Sequence, residues 1–188
     1  CEGRSKRVAL VGETIDQARE VMVFGESGIL ACCPPDRRPE WQAGRKRLVW
    51  PNGATAQIFS AHDPESLRGP QFDAAWVDEL AKWKRAEEAW DQLQFGLRLG
   101  DAPRQIVTTT PRNVAVLKDL MKQETTVVTS APTKANRAYL AASFLEDIDP
   151  MFKIFKQTQR IFMICRCPSF RFFSKCANSG ILRFLNLI

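Results

Sequence analysis

The sequence predicts an α/β fold, a largely parallel sheet with helices covering its faces. Three observations lead there. Short apolar runs that stop at Gly, Asp-Glu or Pro alternate with stretches of helical periodicity, a capping-box pair (Thr14 and Gln17) directly follows the first run, and an Asn-Gly turn joins two extended runs.

Residues 6–11 (KRVALV) read as a strand closed by Gly12. The capping box then starts a helix over 15–24 that ends near Gly25, with Ile15, Ala18, Val21 and Met22 on one face. Residues 33–39, rich in proline and charge, are a loop. Residues 46–50 and 55–60 are extended, and Pro51-Asn52-Gly53-Ala54 between them tolerates the positive φ angles of a tight turn, so they form a hairpin. Residues 62–69 are polar and contain Pro64, which gives a loop or a single helical turn. Residues 72–77 are the next strand, ending in Asp78-Glu79. The apolar spacing of Ala86, Ala89, Trp90, Leu93, Phe95 and Leu97 predicts a helix over 86–99 that stops at Gly100. A strand over 104–109 ending at Pro111, a helix over 114–122, a strand over 125–129 and a helix over 137–148 complete the pattern.

With 188 residues, 45% hydrophobic and 26% charged, the chain is of the size and composition of one globular domain with a core. No apolar run approaches the roughly 18 residues of a membrane-spanning helix, and the first residues carry no secretory signal. The net charge of +6 is unevenly placed. Residues 151–188 hold seven bases and no acid, which leaves 20 bases against 21 acids in residues 1–150. The body therefore gives no electrostatic argument for a polyanion.

The same boundary divides the chain into 1–150 and 151–188. The tail holds seven of twelve Phe and three of six Cys. It reads as a shifted reading frame in preference to a basic, aromatic surface, because natural segments of this length mix both charge signs. The cysteines, among them the adjacent Cys32 and Cys33, match neither a disulfide framework nor a metal-ligand spacing, and with only His62 as histidine they read as reduced thiols in a cytosolic setting.

The chemistry concentrates in residues 68–83, RGPQFDAAWVDELAKW. An apolar strand ends in two adjacent carboxylates, and because successive strand residues point to opposite sides, Asp78 and Glu79 can address different targets. Phosphoryl chemistry uses such a division: one carboxylate holds Mg²⁺ while the other orients the attacking water. Thr108, Thr109 and Thr110 place three hydroxyls at a second strand end. Trp76, Trp83 and Trp90 read as core residues and His62 as structural.

The longer string resembles the Walker B segment of the large subunit of tailed-phage terminases, the motor that packages DNA into empty capsids. GATAQIFSAHDPESLRGPQFDAAWVDELAKW (53–83), WDQLQFGLRLG (90–100) and PRQIVTTTPRN (103–113) follow in family order. The resemblance spans about residues 7–148. It implies a sheet of the P-loop (ASCE-type) ATPase kind, with Asp78 the Mg²⁺ ligand, Glu79 the catalytic carboxylate and Thr108-Thr109-Thr110 the coupling motif that senses the γ-phosphate. Arg68 and Arg112, which flank these motifs, become candidate contacts to phosphate or DNA. ATP and Mg²⁺ are the implied cofactors. Double-stranded DNA, the portal, the small terminase subunit and a homo-oligomeric ring are the implied partners, in the cytoplasm of a bacterial host and not at a membrane.

The sequence departs from the family at two points. No GxxxxGK[ST] string occurs in it, and the chain begins with Cys1, so the expectation is an ATPase domain incomplete at its N-terminus whose P-loop lies upstream. No acid follows Asp149, so the carboxylate cluster of the family's nuclease domain is not present in these residues. The expectation is a motor fragment that binds ATP weakly or not at all by itself. The alternatives are another ASCE ATPase such as a helicase, or a non-enzymatic prophage remnant.

Overall fold

Runs of consecutive apolar residues, whose side chains alternate between the two faces of a sheet, build its centre. In the computed structural model, which describes residues 5–110, 112–132 and 160–166, four strands carry this pattern: β1 (Arg7–Gly12), β4 (Thr55–Ser60), β5 (Ala74–Asp78) and β6 (Arg104–Thr109). They lie parallel in the order β4-β1-β5-β6, with Leu10 opposite Ile58 on one side and Trp76 on the other, and Asp78 opposite Thr108.

Their side chains supply two cores, one on each face. Ala9, Val11, Phe59, Ala75, Val77 and Val107 pack against α3 (Ala86–Gly96) and α4 (Ala115–Lys122). Val8, Leu10, Ile58, Ala74, Trp76 and Ile106 pack against the helical segment over 15–23 and α2 (Ile29–Cys32). Buried on both faces, the central strands read as continuous apolar runs, as parallel strands must.

The sheet is parallel only at its centre. β3 (Arg47–Val49) joins β4 through the Asn-Gly turn, where Gly53 has φ +82°, and a connection that short permits only antiparallel pairing. β2 (Glu40–Gln42) extends this edge antiparallel to β3 and was not foreseen from its three residues. On the other side β8 (Arg160–Arg166) enters antiparallel between β6 and β7 (Thr126–Pro132), so that β6 and β7 run parallel to each other across it. Among the described residues the full order is β2-β3-β4-β1-β5-β6-β8-β7. The expected helix over 137–148 lies outside the described residues.

Two helices differ from expectation. Thr14 does cap the first, its side chain accepting from the Gln17 N–H at 3.1 Å, but after α1 (Ile15–Gln17) the chain turns as a π-helix over Ala18–Val23. The wider register, seen in the 3.1 Å bond from Phe24 N–H to the Arg19 carbonyl, buries Ala18, Met22 and Val23 and leaves Val21 exposed, although the helical spacing had placed Val21 on the apolar face. α3 stops at Gly96 because Leu97 leaves to form a bridge with Phe72, whose N–H donates to the Gly96 carbonyl at 2.8 Å. A Cβ on Gly96 would lie 3.1 Å from the Phe72 ring, so any larger residue there would have to push that ring back by a few tenths of an ångström. No helix among the described residues is long and apolar enough to cross a membrane.

Candidate active site

Parallel strands bring their carboxyl ends to one edge, and the residues singled out in the sequence sit there. Asp78 closes β5. Glu79 follows at φ +52°, a left-handed conformation, and opens a 3₁₀ turn over Leu80–Lys82. The change of hand sends the two carboxylates along separate paths.

Each meets a different residue of the threonine triplet at the end of β6. The Thr108 hydroxyl donates to Asp78 Oδ1 at 2.7 Å and lies 3.2 Å from the Val77 carbonyl, while its oxygen receives the Trp76 indole N–H at 3.4 Å. Thr110 donates to Glu79 twice, from its N–H to Oε2 at 3.3 Å and from its hydroxyl to Oε1 at 3.4 Å. Thr109, fully buried between them, accepts the Ala81 N–H at 3.0 Å and donates to the Thr110 carbonyl at 3.2 Å. The Trp83 indole closes the turn with a 3.0 Å bond to the Asp78 carbonyl. All five foreseen residues, Asp78, Glu79, Thr108, Thr109 and Thr110, are therefore neighbours.

The electrostatics of Asp78 follow from this placement. Burial pushes its carboxyl above the ordinary range and the negative charge of Glu79 adds to the effect, while the Thr108 hydrogen bond and the Lys82 ammonium pull the other way without cancelling it. A carboxylate so placed gains from a cation arriving beside it.

Arg68 and Arg112 stand apart from this group. Arg68 is paired with Glu65 at 3.3 Å in its own turn, with a side chain 73% exposed, and Arg112 is exposed. Among the described residues neither is bonded to Asp78 or Glu79. Trp76, Trp83 and Trp90 are buried, as expected. His62 is not packed in the core: its imidazole is half-exposed, with Nε2 3.6 Å from Glu13 Oε1.

Two residues of this edge escaped the sequence reading. Glu13, one residue past β1, is only 9% exposed, and Lys82 Nζ lies 3.2 Å from its Oε2. For Glu13 the available signal was the one that marked Asp78-Glu79, an acid directly after a run of apolar strand residues; Lys82 had none.

Comparison with known proteins adds a family. The family model described as terminase large subunit, T4likevirus-type, N-terminal, matches residues 1–159. The chain belongs to the terminase large subunit family. No curated protein matches it. The matched stretch of this terminase chain holds every site residue described above and ends one residue before β8 begins at Arg160.

Proposed function

We propose that this chain carries the hydrolytic carboxylates of an ATP-driven DNA-packaging motor, with Asp78 as the Mg²⁺ ligand, Glu79 as the catalytic carboxylate and Thr108–Thr110 as the element that couples phosphate release to movement. One observation carries the reading: two adjacent acids at one strand end, each hydrogen-bonded to a different threonine of the neighbouring strand end. Family membership supplies the context.

The donor set suits magnesium. Asp78 and Thr108 offer hard oxygens, and among the described residues no group of three His, Cys, Asp or Glu forms a cage. Mg²⁺ is commonly held in this way, by one or two carboxylates together with substrate phosphates and water. When bound, it would draw negative charge from the phosphates. The protein's own part is positional. Thr108 fixes the Asp78 carboxylate from one side, and Glu79 would accept a hydrogen bond from the water that attacks the γ-phosphate, orienting and polarising it. In the present arrangement that carboxylate is engaged by Thr110, so the acid and the threonine strand cannot move independently. Such a link lets loss of phosphate at one strand end be felt at the other.

Double-stranded DNA, a portal, a small terminase subunit and a ring of like subunits are the partners this reading requires, and ATP its substrate. The decisive experiment is Glu79→Gln in a complete packaging subunit carrying these residues. ATP turnover and DNA packaging should fall by about a thousandfold, the scale of losing a group that acts in the transition state. Turnover within twofold of the parent would overturn the proposal. For the 188-residue chain alone, with no GxxxxGK[ST] string to cradle phosphates, the expected turnover of Mg-ATP is nil.

A further inference from the structure

We infer that Glu13 and Lys82 act as positioning residues: their ion pair ties the turn that begins at Glu79 to the end of β1 and so sets where the Glu79 carboxylate lies. The structural half of this inference stands on geometry alone, and its functional half rests on the catalytic role proposed above for Glu79.

The turn over Leu80–Lys82 has no regular structure of its own to hold it. A single 3₁₀ turn is marginal, and it begins at a residue with φ +52°, a conformation that costs a non-glycine residue about 1 kcal/mol or more. Something outside the turn must hold it in place. Three ties do so, each to a different strand end. Trp83 bonds back to the Asp78 carbonyl of β5 at 3.0 Å, and Ala81 N–H reaches Thr109 of β6 at 3.0 Å. Lys82 reaches Glu13 beyond β1 at 3.2 Å, with Gln17 Oε1 at 3.5 Å from the same ammonium. Lys82 N–H also bonds the Glu79 carbonyl at 2.8 Å, so the tethered residue is joined directly to the backbone of the acid it would position.

Glu13 is built to anchor rather than to be solvated. Its side chain is 12% exposed, each of its oxygens faces a nitrogen of another element (Lys82 Nζ and His62 Nε2), and its carbonyl accepts from the Ser60 hydroxyl at 2.9 Å and from His62 N–H at 3.2 Å. A carboxylate so enclosed loses far more than a surface acid when its cation is removed. The ends of β4, β1 and β5 are thereby joined through one residue, and the β6 end through Thr109.

Amide hydrogen exchange on the full 188-residue chain tests the tie without nucleotide. The Ala81 and Thr110 N–H groups report on the turn, because one bonds Thr109 and the other bonds Glu79. The Leu10 amide in β1 serves as the reference. Lys82→Met and Glu13→Gln should each speed exchange at Ala81 and Thr110 by about tenfold while Leu10 stays within twofold. Lys82→Arg, which keeps the charge, should preserve the parent rates. The double variant Glu13→Gln/Lys82→Met should exchange no faster than either single one, since both remove the same pair. The inference is overturned if Lys82→Arg exchanges as fast as Lys82→Met, if the two single effects multiply, if Leu10 quickens equally, or if Ala81 and Thr110 do not respond. Should the tie fail while Glu79→Gln still halts turnover in a packaging subunit, the catalytic reading survives; a positive exchange result beside unaffected turnover in Glu79→Gln removes only the functional half.

Discussion

At Asp78 the placement of a single acid sets a pH-dependent cost to the fold. Its carboxyl, buried and next to Glu79, holds its proton more tightly in the folded chain than in the unfolded one. Ionisation therefore costs the fold. The cost is absent below about pH 3.8, the ordinary value for this group, grows as pH rises through the elevated one and is constant above it. Asp78→Asn removes the charge yet still offers Thr108 an oxygen. In chelator-treated buffer the variant should melt higher than the parent, with a difference that widens as pH rises from about 3.8 and then levels off. A difference that shrinks with rising pH would contradict this account. The two neighbouring acids were legible in the sequence because they close a strand, and the triplet Thr108–Thr110 because β-branched residues and hydroxyls coincide there. Glu13 was not legible, since a lone acid after a strand is also how many loops begin; only the arrival of Lys82 and His62 from the turns that follow β5 and β4 distinguishes it.

Among the elements, β6 does more than fill the sheet. Its last buried side chain, Thr109, satisfies the Ala81 N–H of the turn after β5. Thr109→Val keeps the shape but leaves that buried N–H without its partner, at a cost of about 1–3 kcal/mol, whereas Thr109→Ser should recover most of the loss. Urea unfolding of both variants would show it, and equal stability of Val and Ser would refute it. Element boundaries were readable where local chemistry sets them: the Thr14 cap, the Asn52-Gly53 turn and the short helix at Pro64 all formed where their residues called for them. They were unreadable where a distant contact decides. The end of α3 is set by Phe72 meeting Leu97, more than twenty positions away, and the π register over Ala18–Val23 by which side chains the sheet will bury. β2 is held by its pairing with β3 rather than by any pattern in Glu40–Gln42.

Across the described residues, one sheet lies between two apolar layers. Leu10 belongs to one and Leu93 to the other, and both are fully buried. Replacing either with Ala should cost about 3 kcal/mol. Because the sheet separates them, the double variant should lose the sum of the two to within about 0.5 kcal/mol. Denaturant titrations of the three variants measure this, and a clear shortfall or excess would mean that the layers are coupled through the strands. The α/β class was legible from the alternation of apolar runs with helical spacing. The antiparallel flanks were half legible: the hairpin was written in its turn, while β8 comes from residues whose composition resembles nothing else in the chain.

Two indoles touch the site directly, Trp76 through the Thr108 hydroxyl and Trp83 through the Asp78 carbonyl. The chain thus carries native fluorophores wired to its acidic pair, among five tryptophans in all. Emission and near-ultraviolet dichroism can follow events at this edge without any attached dye.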